Sequence, residues 1–452
     1  MDLNNEKHLA EGLNLLPNTF PIINEKCKIF ASPKKTRLMI NKRAFELNEN
    51  GVEILKQCNG KNTLNSIIKE IIKDKVDSEK TKKSVINYIE NLIKYDIINL
   101  KNKKGLSPQW LSKIEPYDTN NRIFPLKIAI ELTDKCNLAC SYCYRDAKIK
   151  GGSFLKHPIE LLHNISFAGI PYVEITGGEP LLHPDIENIL LYSLKNFQYV
   201  VLLTNGILLN DKIFGILNDN KNKIFLQISL PSLDRSRFKK ITGFDMLNIV
   251  KANIKKAGSY GFYSRVTSVL IDEHSFLEVE EITNFVYTCG IKEYGPSLEV
   301  DVGRGEITNV SVETISRLSK IIEKINNKYN NIIKLTGHSD NTELVLEENK
   351  EGLNCGAGWR SYTLDPYGYS RPCSVFPLDF GSFAISNKEI SQRMFQLEKP
   401  NKKTCDGCIY ENHCRGCILK GWLMSQKMGY ECRWVKENNV NELFEDWKNC
   451  KI

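Results

Sequence analysis

The chain has 452 residues, 41% hydrophobic and 26% charged, which is a length for two or three domains and the balance of an ordinary soluble protein. No stretch approaches the ~20 apolar residues of a membrane span, and the opening MDLNNEKHLAEGLNLLP lacks the basic-then-apolar order of a signal peptide, so a cytoplasmic protein is expected. The formal net charge of +8 is spread over the whole length, which marks solvated faces and not a nucleic-acid surface.

Residues from about 20 to 100 read as a small separate unit. KIFASPKKTRLMINKRAFELN holds short extended runs, and Asn48 caps a helix in ENGVEILKQC. A second helix follows NGKNT, and a third carries Val85, Ile86, Ile89, Leu92 and Ile93 on one stripe. DIINL closes the unit as a strand. A DNA-binding winged helix has a similar order, but the third helix shows an apolar stripe and not a basic one. KNKKGLSPQWLSKIEPYDTNNR is polar and contains prolines, as linkers do.

Beyond it, LKIAIEL, YVEIT, YVVLLT, KIFLQISL, YSRVTSVL and EYGPSLEV alternate with helix-length segments. That order predicts parallel strands with crossover helices, a partial or complete barrel whose chemistry gathers at the C-terminal strand ends. From about residue 350 periodicity is poor and Gly, Pro and Cys are frequent, which reads as a small irregular region held by metal.

Ten of the fourteen cysteines fall in two groups. Cys136, Cys140 and Cys143 follow the first barrel strand. Cys355, Cys373, Cys405, Cys408, Cys414, Cys417 and Cys432 lie in the last region. Cys27, Cys58 and Cys289 read as small buried apolar residues, and Cys450 is an outside candidate for a ligand. In a reducing cytosol such clusters point to metal. Spacing alone leaves zinc and iron–sulfur both open for the first three. Zinc prefers four closed ligands, whereas three thiolates on a [4Fe–4S] cubane leave one iron open. EITGGEP, TNG and QISLPS end the next three strands; the glycines are read as letting backbone approach a small polar ligand.

CxxxCxxC with GGEP at the next strand resembles the radical S-adenosylmethionine (SAM) superfamily over roughly residues 125 to 305. The resemblance implies that Cys136, Cys140 and Cys143 bind a [4Fe–4S] cluster whose open iron chelates SAM. It implies Tyr142 near the adenine, Gly177, Gly178, Glu179 and Pro180 at the methionyl amine, Ser229 at the ribose, Arg265 at the carboxylate and Asn205 as a further polar contact. For Ser229, Asn205 and Arg265 the alternative is strand-end capping or a surface ion pair. The later cysteines, in the order C, Gx4C, CxxCx5C, C, C, resemble the SPASM extension. By that analogy Cys355, Cys373 and Cys417 hold a first auxiliary cluster, and Cys405, Cys408, Cys414 and Cys432 a second. The two-residue gap between Cys414 and Cys417 departs from the more frequent three.

The N-terminal unit resembles the peptide-recognition domain related to the PqqD chaperone of pyrroloquinoline quinone synthesis. Such domains are winged-helix-like and bind a precursor leader as an added strand. The implied organisation is 1–105 recognition domain, 106–124 linker, 125–345 partial (β/α)6 radical SAM barrel and 346–452 SPASM domain. ELTDKCNLACSYCY, EITGGEPLLHP, NCGAGWRSY, RPCSVFP and CRGCILKGW look most like the subtilosin-maturation (sactipeptide) type of enzyme. That likeness implies Cys-sulfur to α-carbon thioether formation in a ribosomal precursor peptide through a 5′-deoxyadenosyl radical. It also implies electrons leaving through the auxiliary clusters and a donor such as flavodoxin or ferredoxin. The alternatives are other SPASM peptide chemistry (β- or γ-carbon thioethers, carbon–carbon links, epimerisation), a sulfatase-maturing enzyme, and, outside enzymology, a zinc-containing DNA-binding regulator.

Overall fold

The computed structural model describes residues 18–24, 27–31, 36–40, 43–73, 78–105, 125–167, 170–300, 302–305, 320–325, 327–329, 334–335, 354–376, 380–382, 388–414 and 416–449. The linker and Cys450 lie outside the described residues. The chain divides into two compact units, Met1–Phe124 and Pro125–Ile452.

In the first unit β1 (Phe20–Ile23) comes before β2 (Lys28–Ala31), β3 (Thr36–Ile40) and β4 (Arg43–Leu47). These are followed by α1 (Glu49–Gln57), α2 (Leu64–Ile72), α3 (Ser78–Lys94) and β5 (Ile98–Lys101). Asn48 caps α1, its side-chain oxygen accepting from Gly51 N–H at 2.8 Å. Thr63 does the same for α2 at 3.2 Å from Ser66 N–H. These bonds satisfy donors that the first helical turn leaves open. Val85, Ile89 and Leu92 of α3 are buried with Leu38, Leu55, Leu64 and Ile67 in the unit's own core, while Ile86 and Ile93 are half-buried. Strands β2, β3 and β4 form an antiparallel meander. The closing strand β5 pairs instead with β1, Ile23 opposite Ile98.

The second unit is built on β6 (Lys127–Glu131), β7 (Tyr172–Thr176), β8 (Tyr199–Thr204), β9 (Ile224–Ser229), β10 (Tyr263–Leu270) and β11 (Glu293–Leu298). All six run parallel in sequence order. Between them lie α4 (Pro158–Phe167), α5 (Ile186–Asn196), α6 (Asp211–Asp219), α7 (Arg235–Thr242) with α8 (Leu247–Tyr260), and α9 (Glu273–Thr288). The two faces of the strands differ. Ile128, Ile130, Val173, Ile175, Val200, Leu202 and Ile228 pack in the core, and Lys127, Glu174, Thr176, Gln227, Ser229 and Arg265 face a cavity. Successive residues of a strand point to opposite faces, which divides them between core and cavity.

The sheet extends further than the expected six strands. After β12 (Lys334–Leu335) comes β13 (Ser361–Leu364), parallel to β6 on its free side, then β14 (Tyr369–Arg371) and β15 (Phe380–Ser382) in antiparallel order. Gly368, the glycine of Gx4C, has φ +91° in the β13–β14 turn, a left-handed conformation open to glycine without strain. The last region is also less irregular than its composition predicts. It carries α10 (Lys388–Gln396), α11 (Lys402–Cys405), α12 (Glu411–Cys414), α13 (Ile418–Lys427), α14 (Arg433–Glu437) and α15 (Val440–Asn449). Trp359, Phe376, Trp434, Phe444 and Trp447 are buried there, so an aromatic core organises the region.

Candidate functional site

The loop after β6 carries Cys136, Cys140 and Cys143 and is pinned from several sides. Gly178 N–H donates to Thr133 O at 2.6 Å and Glu179 N–H to Lys135 O at 2.7 Å, which ties the GGEP turn to the cysteine loop. Ala139 and Ser141 N–H donate to Thr242 O and Ile241 O at the end of α7, at 2.8 and 2.9 Å. Cys136 N–H donates to Lys148 O at 2.9 Å. Arg304, past β11, donates from its backbone to Cys143 O and from Nε to Cys140 O, both at 2.9 Å.

The glycines of GGEP also stand where two loops of the chain meet. A Cβ on Gly178 would stand 2.1 Å from Lys135 O, and one on Gly177 2.6 Å from Thr133 O. On this side it is the backbone of the cysteine loop that approaches closely.

Glu179 is fully buried. Its Oε1 accepts from Thr204 Oγ1 at 2.7 Å and Leu181 N–H at 3.1 Å, and Oε2 accepts from Asn205 N–H at 2.8 Å. Burial pushes its carboxyl up to about 7, against the pull of those donors. Asn205 Nδ2 donates to Asn137 Oδ1 at 2.7 Å and lies 3.8 Å from Cys136 Sγ. Ser229 lines the cavity at the end of β9. Arg265 sits lower, opposite Gln227, and its Nη2 and Nε are 2.9 and 3.0 Å from Glu293 Oε2. Both of these side chains are buried, so Arg265 stands in an internal ion pair and not in the surface pair weighed as its alternative.

A cavity of about 830 Å³ is lined by Cys136, Cys140, Cys143, Tyr142, Gly177, Gly178, Asn205, Ser229 and Arg265, and on another wall by Cys355, Cys373 and Cys417. These last three are within electrostatic reach of one another. Cys405, Cys408, Cys414 and Cys432 form a second group, with Cys414 also reaching Cys417. Burial pushes Cys136 up to about 11, and Cys140, Cys373 and Cys414 up to about 12. Such thiols hold their protons until a metal displaces them.

The donor chemistry around the first three cysteines fits an iron–sulfur cluster. All are free thiols on one clamped loop. Arg304 lines the same cavity and leaves Nη2 buried and without a hydrogen-bond partner, a donor available to a bound group. A cubane gives each thiolate its own iron, so three thiols on one loop serve it without converging on a single point. Sequence reasoning missed Arg304, since a lone Arg after a strand carries no signal.

Residues 130–286 match the model of the radical SAM superfamily, and residues 35–98 that of coenzyme PQQ synthesis protein D (PqqD). By class, this is a chain with a radical SAM domain and a PqqD peptide-recognition domain. More particularly, it is similar to the antilisterial bacteriocin subtilosin biosynthesis protein AlbA of Bacillus subtilis (strain 168). The two are 28% identical over 461 residues, which cover 94% of this chain and 98% of that one. Its fold is like that of Streptococcus suis SuiB bound to S-adenosylmethionine, with TM-score 0.63, 17% identity, and 89% of this chain and 96% of that chain covered. SuiB bound to precursor peptide SuiA gives TM-score 0.63, 16% identity, and 89% and 97% covered. Among the described residues no helix is long and apolar enough to cross a membrane.

Proposed function

We propose that this protein is a radical SAM maturase that installs sulfur-to-α-carbon thioether cross-links in a ribosomally made precursor peptide. The observation that carries the reading is one cavity with Cys136, Cys140 and Cys143 on one wall and Cys355, Cys373 and Cys417 on another. The likeness to a subtilosin biosynthesis protein along nearly the whole chain supports it.

In this reading Cys136, Cys140 and Cys143 hold the SAM-binding cluster. Gly177, Gly178, Glu179 and Pro180 serve the methionyl amine, Tyr142 the adenine side and Ser229 the ribose. Asn205 orders the approach to Cys136, and Arg265 faces the carboxylate in competition with Glu293. Once bound, SAM and its cluster supply the power to take a hydrogen atom from an unactivated C–H bond. The chain's part is to position and to exclude water: barrel strands wall the cavity, and the clamped loops keep the reacting groups in register. Cys355, Cys373 and Cys417 form a first auxiliary site with three thiolates, which leaves room for the substrate cysteine. Cys405, Cys408, Cys414 and Cys432 form the second.

Joining sulfur to carbon removes two hydrogens: one leaves as the abstracted atom, the other as the thiol proton and one electron. Clusters held by the auxiliary cysteines would accept that electron, while a donor such as flavodoxin or ferredoxin would supply the one that cleaves SAM. Residues 1–105 take the leader as an added strand on an edge of the β2–β3–β4 meander, 106–124 link, 125–345 perform the radical step and 346–452 hold the auxiliary sites. All of this is placed in the cytoplasm.

The test is anaerobic incubation with SAM, a reductant and the small peptide encoded beside the gene. The expected product is lighter by about two mass units per thioether, two hydrogens each, with fragmentation placing the bond on an α-carbon. An unmodified peptide alongside active SAM cleavage rejects the substrate assignment, and a β- or γ-carbon bond rejects the regiochemistry alone.

A further inference from the structure

Glu131 ends β6 fully buried. Its Oε2 stands 2.9 Å from Arg145 Nε and 2.5 Å from Arg371 Nη2. Arg145 lies two residues past Cys143, and Arg371 two residues before Cys373. One carboxylate therefore joins the loops that carry the two triads on the cavity wall. Arg371 is tied further into its own loop, donating from Nη1 to Ser374 O at 3.1 Å and Phe376 O at 3.4 Å. A second link runs in parallel: Tyr367, in the β13–β14 turn, donates from its hydroxyl to Asp134 Oδ2 at 2.8 Å, two residues before Cys136.

Packing alone does not call for this arrangement. Ile130 and Leu364, paired neighbours in the same strands, make the β6–β13 contact with apolar side chains. A buried carboxylate with two guanidiniums is expensive to desolvate and usually no better for stability than apolar residues. What it offers is fixed geometry and fixed charge. With the buried Asp365, also within electrostatic reach of Glu131, two acids balance two guanidiniums.

We propose that Glu131 is a positioning residue that holds the two cysteine triads in fixed register and sets the charge between them, through Arg145 on one side and Arg371 on the other. The inference rests on the reading that both triads hold iron–sulfur clusters. Loss of the carboxylate leaves a guanidinium charge unbalanced in a low-dielectric interior, which favours the reduced, more negative state of any nearby cluster.

The experiment is a redox titration of the iron-loaded full chain, followed by electron paramagnetic resonance, on wild type, Glu131→Gln, Glu131→Asp and Arg371→Gln. Glu131→Gln is expected to keep its iron and to shift the midpoint potential of at least one of the two triad clusters to more positive values. Glu131→Asp should return close to wild type, and Arg371→Gln should shift in the negative direction. Unchanged potentials in an iron-replete Glu131→Gln protein overturn the proposal, as does a shift of the same sign in Glu131→Gln and Arg371→Gln, which packing damage alone would give. Should Glu131→Gln not fold, Arg371→Gln and Arg145→Gln decide: negative shifts support the proposal and unchanged potentials reject it. A wild-type chain lacking iron at either triad removes the cluster reading itself, and is told apart by the missing signal.

Discussion

The backbone N–H of Asn205 donates to Glu179 Oε2 at 2.8 Å, so the end of β8 holds the carboxylate that the loop after β7 supplies. Three donors keep this buried acid in place, and burial still raises it to about 7. Between the ordinary value of 4.5 and about 7, the folded chain keeps a proton that the unfolded chain has released. The contribution to stability is thus full below about 4.5 and is lost as pH rises through about 7. Cluster-free protein should melt at a lower temperature at the alkaline end of this window, and Glu179→Gln should flatten the trend. The same variant should bind SAM roughly 10- to 100-fold more weakly, the scale of one charge-assisted hydrogen bond. Equilibrium dialysis on cluster-loaded protein measures that, and unaltered affinity removes Glu179 from the amine site.

Gly178→Ala tests the clamp between GGEP and the cysteine loop. The added Cβ would meet Lys135 O at 2.1 Å, a backbone atom already committed to Glu179 N–H. The loops would have to part, at about 3 kcal/mol or more. Gly215→Ala in α6, where a Cβ meets nothing within 4 Å, should instead gain about 0.5–1 kcal/mol. Denaturant midpoints of the two variants should move in opposite directions.

The barrel was legible because β6 to β11 are short runs, mostly rich in β-branched residues, each separated from the next by a helix-length segment. The cysteine loop was legible because three thiols at tight spacing just past a strand have few uses other than holding metal. Other features depend on partners distant in the chain. Phe20–Ile23 becomes a strand through Ile98–Lys101, and Ser361–Leu364 extends the sheet by lying beside Lys127–Glu131. Neither pairing leaves a local mark. Val440, Leu443, Phe444 and Trp447 do carry the i, i+3, i+4, i+7 spacing of a buried helix face, and the density of Cys, Gly and Pro before them obscured it. Glu131 shows in the sequence only as an acid inside an apolar run; its meaning needs Arg371, which the fold delivers from the last region.

Cys136→Ala and Cys417→Ala should separate the two triads on the cavity wall. The first removes a ligand of the cluster proposed to bind SAM, and deoxyadenosine formation should fall to background. The second leaves that loop intact, so some cleavage should persist while the cross-link is lost. Iron analysis gives an independent reading: three [4Fe–4S] clusters mean roughly twelve irons per chain, and Cys417→Ala should hold fewer. A colourless protein containing zinc would favour the regulator alternative.

Removal of residues 1–105 tests whether the N-terminal unit supplies substrate binding and not chemistry. That unit has its own core of Leu38, Leu55, Leu64, Ile67, Ile89 and Leu92, and among the described residues those lining the cavity belong to the other unit. If the meander captures the leader, its main-chain hydrogen bonds raise the local concentration of the modified segment, an advantage of 10²–10⁴ for tethered sites. The truncated protein should therefore cleave SAM in the absence of peptide at the wild-type rate. Its turnover of a leader-bearing peptide should drop by about two orders of magnitude, while a leaderless peptide at high concentration should be processed equally by both proteins. Full turnover of the leader-bearing peptide by the truncated chain would move recognition into the barrel and favour the sulfatase-maturing alternative.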